Sequence, residues 1–330
     1  MASLAVGGGE AVDYYSDKLN AADVGSCFQV VKTKSKGKII VATSDISKGV
    51  LIHRESPLVA MQSLDNKFDV VVCHYCKCNI GTLEQQIDLL QRKINRLDYL
   101  KYEQSWTLLG EEDIKRPPSH VVCSCGEIYC SSECQGNDNA RNGHAILCTG
   151  PIDGESSREH PIIQFKLHAM ETNEIFILAA QVVTSIIMRY KKDPKRSKEA
   201  FKRFVQNKWW DVVWPSNTAG DESEVLEEKN MLANTLYELS MESFHLLRQA
   251  ILSNCSPVQI SDKEFDELFN VDYYGSIIGM FEQNNLGIRR KSLVALGIEA
   301  KMADVNAPVP KGQGVAAGQS VESGLLGKLL

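Results

Sequence analysis

The chain has 330 residues, 43% of them hydrophobic and 24% charged, with a formal net charge of −6. That composition is ordinary for a globular protein, and the length allows about two domains with a sizeable core. The acidic balance argues against generic duplex binding, which rests on neutralised phosphates, and favours protein partners.

The N-terminal stretch 1–26 contains Gly7-Gly8-Gly9 and no basic region followed by a long apolar run, so it reads as a flexible leader rather than a secretory signal. Residues 27–67 read as strands. Phe28–Val31, Ile39–Ala42 and Val50–His53 are short β-rich runs separated by Ser35-Lys36-Gly37-Lys38 and Ser47-Lys48-Gly49, which carry turn chemistry.

Residues 68–150 hold eight of the ten cysteines. With no secretory signal, a reducing compartment is expected, where disulfides are rare, so the cluster needs another explanation. The ligand spacing is Cys73-x2-Cys76, a long insert, then Cys123-x-Cys125-x4-Cys130-x3-Cys134-x9-His144-x3-Cys148. Thiolates with imidazole in tight turns suit tetrahedral Zn²⁺. Eight ligands need two ions. The expected pairing is interleaved, with Cys73, Cys76, Cys130 and Cys134 on one ion and Cys123, Cys125, His144 and Cys148 on the other. Four protein ligands at each imply structural zinc. Cys78 could replace Cys76, and His74 is adjacent. Cys27 and Cys255 read as core residues. Inside the insert, Leu83, Ile87, Leu90, Ile94, Leu97 and Leu100 recur at helical spacing before Pro117-Pro118.

Residues 151–292 read as mostly helical. Ile175–Tyr190 is one helix, apolar but too short to cross a bilayer, ended by Asp193-Pro194. Asn230–Leu252 is a second, and the capping box Ser261–Glu264 opens a third. Trp209, Trp210 and Trp214 are expected to anchor the loop before the second helix, and Tyr273–Phe281 precedes Asn284-Asn285. Residues 293–330 turn Gly- and Ala-rich and read as a disordered tail. The fold class is therefore α+β, with a small antiparallel β portion, a two-zinc module and a largely helical second half.

The segment GEIYCSSECQGNDNARNGHAILC (126–148) resembles the second half of a MYND finger, with Tyr129 in the usual tyrosine position. It departs from the pattern in the single residue between Cys123 and Cys125 and in lacking a tryptophan between Cys134 and His144. Upstream, KGKIIVATSDISKGVLIHRESPLVA resembles the opening strands of a SET domain. Downstream, ETNEIFILAAQVVTSIIMRY, KWWDVV and YYGSIIGMFEQNNLGI resemble the helical insert of the plant trithorax-related SET proteins that carry a zinc finger. The resemblance covers roughly residues 28–292.

It implies a SET-and-MYND protein-lysine methyltransferase that uses S-adenosylmethionine, acts on protein substrates such as histone tails, needs no sequence-specific DNA contact or membrane, and works in the nucleus, with the cytoplasm as a second location. By the same resemblance Gly37 and Lys38 match a cofactor-contacting turn, although Ile39 stands where a second glycine is usual, and Asn284 and Asn285 fall near the cofactor pocket. Gly37 also suits a plain hairpin turn, and the asparagines suit a helix end. The family's later Asn-His-Ser-Cys-x-Pro-Asn segment and catalytic tyrosine are absent from this sequence, so no catalytic residue is assigned and the chain is expected to be a shortened, catalytically incomplete form. The alternative is a non-catalytic zinc-binding module for protein interaction.

Overall fold

The computed structural model describes residues 27–52, 56–92, 120–151, 158–214, 221–254 and 258–305. Cys255, Pro117-Pro118 and the distal half of the expected insert helix lie outside these residues.

The chain opens with an antiparallel hairpin, β1 (Phe28–Thr33) and β2 (Gly37–Ala42), in register from Phe28↔Ala42 to Thr33↔Gly37. Thr33 closes the turn: its Oγ1 accepts from the Lys36 N–H at 3.1 Å. Gly37 takes φ +67°, which suits glycine. Phe28, Val30 and Val31 are buried, while Ile40 is 65% exposed. The expected third strand does not form. Val50, Leu51 and Ile52 are exposed coil, and His53 lies outside the described residues. β-branched content alone does not make a strand where no neighbouring backbone offers a ladder.

Two knuckles and three short helices build the cysteine module. The first knuckle spans Cys73–Cys78, with Cys73 N–H donating to Cys78 O at 2.8 Å and Lys77 held at φ 58°. Helix α1 (Leu83–Leu90) starts at a capping box of Thr82 and Gln85 and buries Leu89. It ends at Leu90, and Arg92 turns the chain at φ 57°. The second knuckle joins β3 (Val121–Val122) to β4 (Ile128–Tyr129), turning at Gly126 with φ 86°. Helix α2 (Ser132–Arg141) is capped by Ser131, whose Oγ accepts from Cys134 N–H at 3.1 Å, and α3 (His144–Leu147) follows directly. Among the described residues the module's own core is small: Val71, Cys73, Ile80, Leu89, Ile128 and Tyr129.

The helical half packs around α5 (Ile175–Tyr190), whose bounds match the sequence expectation and which is buried along most of its length. Helix α4 (Pro161–Glu171) lies beside α5 and the long α7 (Glu222–Ser253). The latter begins eight residues earlier than periodicity suggested, because Asp221 caps it by accepting from Ser223 and Glu224 N–H at 2.9 Å each. α8 (Asp262–Leu268) carries the expected capping box of Ser261 and Glu264. α9 (Val271–Asn284) presents Gly275 and Gly279 to the short α6 (Trp209–Val212). A Cβ on Gly279 would lie 2.1 Å from the Asn207 carbonyl oxygen. Trp209 is 3% exposed and donates to Glu282 at 2.9 Å, whereas Trp214 is 57% exposed and anchors nothing in the core. Residues Leu293–Val305 form α10, which packs on α1, so this part of the expected disordered tail is helical. No helix among the described residues is long and apolar enough to cross a membrane.

The cysteine module and the segment before it dock on the helices at defined points. Thr184 Oγ1 of α5 donates to Asn142 O at 2.5 Å, and Leu64 N–H donates to Glu174 at 2.7 Å. Asn254 donates to Ile146 O at 2.5 Å.

Candidate metal centre

The two knuckles and α2–α3 draw the eight sequence-predicted ligands into two sets of four. Cys73, Cys76, Cys130 and Cys134 converge with their sulfurs all within 4.8 Å of one another, and Cys123, Cys125, His144 and Cys148 do the same. In the first set Cys76–Cys130 is 3.6 Å and Cys130–Cys134 is 3.4 Å between sulfurs. In the second, Cys123–Cys148 is 3.6 Å and Cys125 Sγ lies 3.6 Å from His144 Nε2. A tetrahedral zinc with Zn–S of about 2.3 Å spaces its sulfurs by about 3.8 Å, and a sulfur and imidazole nitrogen by about 3.6 Å. Both donor sets therefore fit a zinc ion, which they could hold with no position left open. The chain is interleaved, since the Cys123–Cys125 knuckle of one set lies in sequence between the two halves of the other.

The thiols share protons unevenly. Hydrogen bonding from Cys76 holds the Cys73 thiol down to about 4, and the same bond pushes Cys76 up. Cys148 is lowered by hydrogen bonds from Cys125 and His144, while Cys125 is raised by its bond to Cys148. Burial pushes Cys130 up to about 12. Ligation would expel the protons that the thiols carry.

Cys78 and His74, the alternative ligands, belong to neither four-donor set, although His74, Asp138 and His144 form a third group of mutually close donor atoms. Cys78 Sγ meets the Arg290 guanidinium at 3.6 Å. His74 Nδ1 lies 2.9 Å from Asp138 Oδ2. Asp138, side chain 2% exposed, was missed from sequence although it stands four residues after Cys134 on the same helix. Its carboxylate accepts from Tyr129 Oη at 2.8 Å and from Asn142 Nδ2 at 2.8 Å, and its Oδ2 sits 3.9 Å from His144 Nδ1. Burial would raise its pKa, but the hydrogen bonds from His74, Tyr129 and Asn142 outweigh that and the carboxyl lies below its usual value. Burial drives His74 down and Tyr129 up.

The residues named for the cofactor lie apart from the cysteines. Lys38 Nζ donates to Arg203 O at 2.6 Å, and Asn284 Nδ2 donates to Val205 O at 3.2 Å, so the structure brings both onto one short loop. Asn284 also caps its own helix through Met280 O at 2.7 Å, and Asn285 N–H ends the helix on Phe281 O.

Comparison with known proteins gives this site a family. Over 336 aligned residues the chain is 30% identical to the histone-lysine N-methyltransferase ATXR2 of Arabidopsis thaliana, covering 83% of this chain and 67% of that one. The chain belongs to the SET/SMYD-type protein-lysine methyltransferase family. The human protein-lysine N-trimethyltransferase SMYD5 is 26% identical over 269 residues, 79% of this chain and 56% of that one. Its mouse counterpart is 30% identical over 157 residues, 45% and 35% of the two chains. The chain thus spans about two thirds of one of these methyltransferases and about half or less of the others. No protein-family model and no solved structure matches it.

Proposed function

We propose that this chain forms the N-terminal SET strands (27–67), a MYND-like zinc finger (68–150) and a helical insert (151–292) of a protein-lysine methyltransferase acting on histone tails in the nucleus. The observation that carries the reading is the match to ATXR2 along 83% of the chain. The two convergent ligand sets support it, because they occur where the resemblance requires a cross-braced finger.

S-adenosylmethionine supplies the methyl group in such enzymes. Gly37 suits the backbone side of its pocket: the residue holds φ +67° with no atom within 4 Å of where a Cβ would stand, so a ligand can approach the main chain. Lys38 and Asn284 order the Arg203–Val205 loop beside that turn. The zinc sites play no part in methyl transfer. They hold the first knuckle against β4 and so fix the finger between strands and helices.

These 330 residues do not catalyse on their own. No Asn-His-Ser-Cys segment is present to complete the pocket, and loss of donor–amine positioning removes several kcal/mol of barrier lowering. A second reading, a non-catalytic interaction module, is favoured by the complete ligand set beside that absent motif. The deciding experiment is transfer of labelled methyl from S-adenosylmethionine to histones. The 330-residue chain is expected to give none while still loading two zinc ions; turnover equal to that of an active longer relative would refute the incompleteness. Pull-down with zinc-loaded and chelated protein separates the second reading, which requires partners lost only on chelation.

A further inference from the structure

The buried carboxylate of Asp138 stands between the two ligand sets and touches both frameworks. His74, bonded to it at 2.9 Å, is the chain neighbour of the ligand Cys73, and Tyr129, bonded at 2.8 Å, is the neighbour of the ligand Cys130. Both arms therefore reach into the four-sulfur set. On the other side, Oδ2 faces Nδ1 of His144 at 3.9 Å while Nε2 of the same ring faces Cys125 at 3.6 Å. The three rings pack edge to face, His74–His144 at 5.1 Å and Tyr129–His144 at 5.9 Å between centroids. Asn142 fixes the other carboxylate oxygen at 2.8 Å and precedes His144 by two residues.

We propose that Asp138 is a positioning residue that joins the two metal sites: it holds the His144 ring with Nε2 turned to the metal, and it passes the order of the four-sulfur site to the imidazole-containing one. This rests on the zinc reading above. The physical reason is that a ligating imidazole is oriented by the partner of its other nitrogen, and such outer partners typically change metal affinity by about 10- to 100-fold. A buried carboxylate tied by three hydrogen bonds, from His74, Tyr129 and Asn142, with the His144 ring nitrogen 3.9 Å away, cannot shift for one of them alone. Hence loosening the first knuckle, which carries His74, must reach His144.

The test uses the full chain loaded with zinc, cobalt or cadmium. Cadmium resonances and cobalt charge-transfer bands distinguish a four-thiolate site from a three-thiolate, one-imidazole site. The parent is expected to release both ions in a single step under graded chelator. Asp138→Asn should release them in two steps, the imidazole-containing site first and about 10- to 100-fold weaker, with the four-thiolate site within about threefold of the parent. Asp138→Asn alters a buried group with three hydrogen bonds at once, so His74→Gln and Tyr129→Phe provide milder cuts of the same joint. Each alters a neighbour of four-sulfur ligands, yet each should weaken the imidazole-containing site and shift its cobalt bands. Leu89→Ala, a truncation in the same small core at a residue that does not bond Asp138, is the structural control and should weaken both sites in parallel. Parallel loss in the Asp138 and His74 variants, or unchanged affinity and spectra, would overturn the joint. A parent chain that takes up no metal would instead overturn the zinc reading itself, and the joint with it.

Discussion

Gly143→Ala tests how the finger is seated on the helical core. Gly143 ends α2 and starts α3 at φ +71°, its N–H reaching back to Asp138 O at 3.0 Å. A left-handed residue with a Cβ costs about 1–2 kcal/mol. The same Cβ would lie 2.9 Å from Thr184 Cβ and 3.2 Å from the Thr184 carbonyl oxygen on α5. Ordinary carbon contacts are about 3.5–4.0 Å, so α3 would have to move off α5, at an overpacking cost of about 1–3 kcal/mol. Together the loss is about 2–5 kcal/mol. His144 is the next residue, and folding of such a finger is tied to its metal, so the lower bound alone corresponds to about 30-fold weaker zinc affinity. Chelator competition on the purified chain measures this. Thr184→Gly separates the two terms: in the Gly143→Ala background it should be less damaging than in the parent by about 1 kcal/mol or more, because it removes the opposing Cβ while leaving the backbone strain. Zinc affinity within about threefold of the parent would refute the seating argument.

Other perturbations address the remaining contacts. Gly279→Ala drives a Cβ into the backbone of Asn207–Trp209 and should cost the helical core about 3 kcal/mol, read as a lower urea midpoint with unchanged slope. Arg290→Ala removes the bond to Lys77 O at 2.8 Å and should speed amide exchange of α10 by about 1–2 kcal/mol while the chain still binds two zinc ions. Chelation should unfold residues 71–148 and leave most helical circular dichroism in place, since the helices have their own apolar core. The Ser261 backbone and Lys191 hold Glu264 down to about 2 from the usual 4.5, so its contribution to stability is complete above about pH 4.5 and fades as pH falls toward 2; the stability difference between parent and Glu264→Gln should follow that window in acid denaturation.

How far the residues alone announced this architecture depended on whether the signal was local. Ile175–Tyr190 and the Ser261–Glu264 box were legible because an apolar run with a stop, and a cap with its partner three residues on, are decided within one or two turns. The eight donors that converge in two sets were legible in part for the same reason: short spacings mark which neighbouring side chains can point to one place, while the pairing of Cys73 and Cys76 with Cys130 and Cys134 is set only by the fold. The strand expected at Val50–His53 failed because a strand needs a partner, and sequence does not say where one lies. Trp214 failed because an aromatic ring says nothing of which way its loop faces. It stands out from the core with Lys229 Nζ 3.7 Å over its ring.

Asp138 shows the limit most clearly. Its neighbours in sequence are polar and ordinary, and nothing local separates it from a solvated helix residue. Its importance comes from His74, far along the chain, and from Tyr129 and His144, nearer in sequence but on other elements, all of which meet only after the knuckles close. A buried carboxylate with no such partners would cost several kcal/mol. On the zinc reading proposed above, ligand geometry would set the scaffold more than apolar burial, and a hydrogen-bonded hub suits a module whose core among the described residues has only six buried side chains. The helical half rests on apolar packing: Gly279 lets backbones approach, Gly275 seats the Trp210 ring, and Tyr274 bonds Ser243 at 2.9 Å in the buried interior around α5. Two ways of specifying a fold meet at Gly143 and Thr184, so that contact couples metal loading to the packing of the helices.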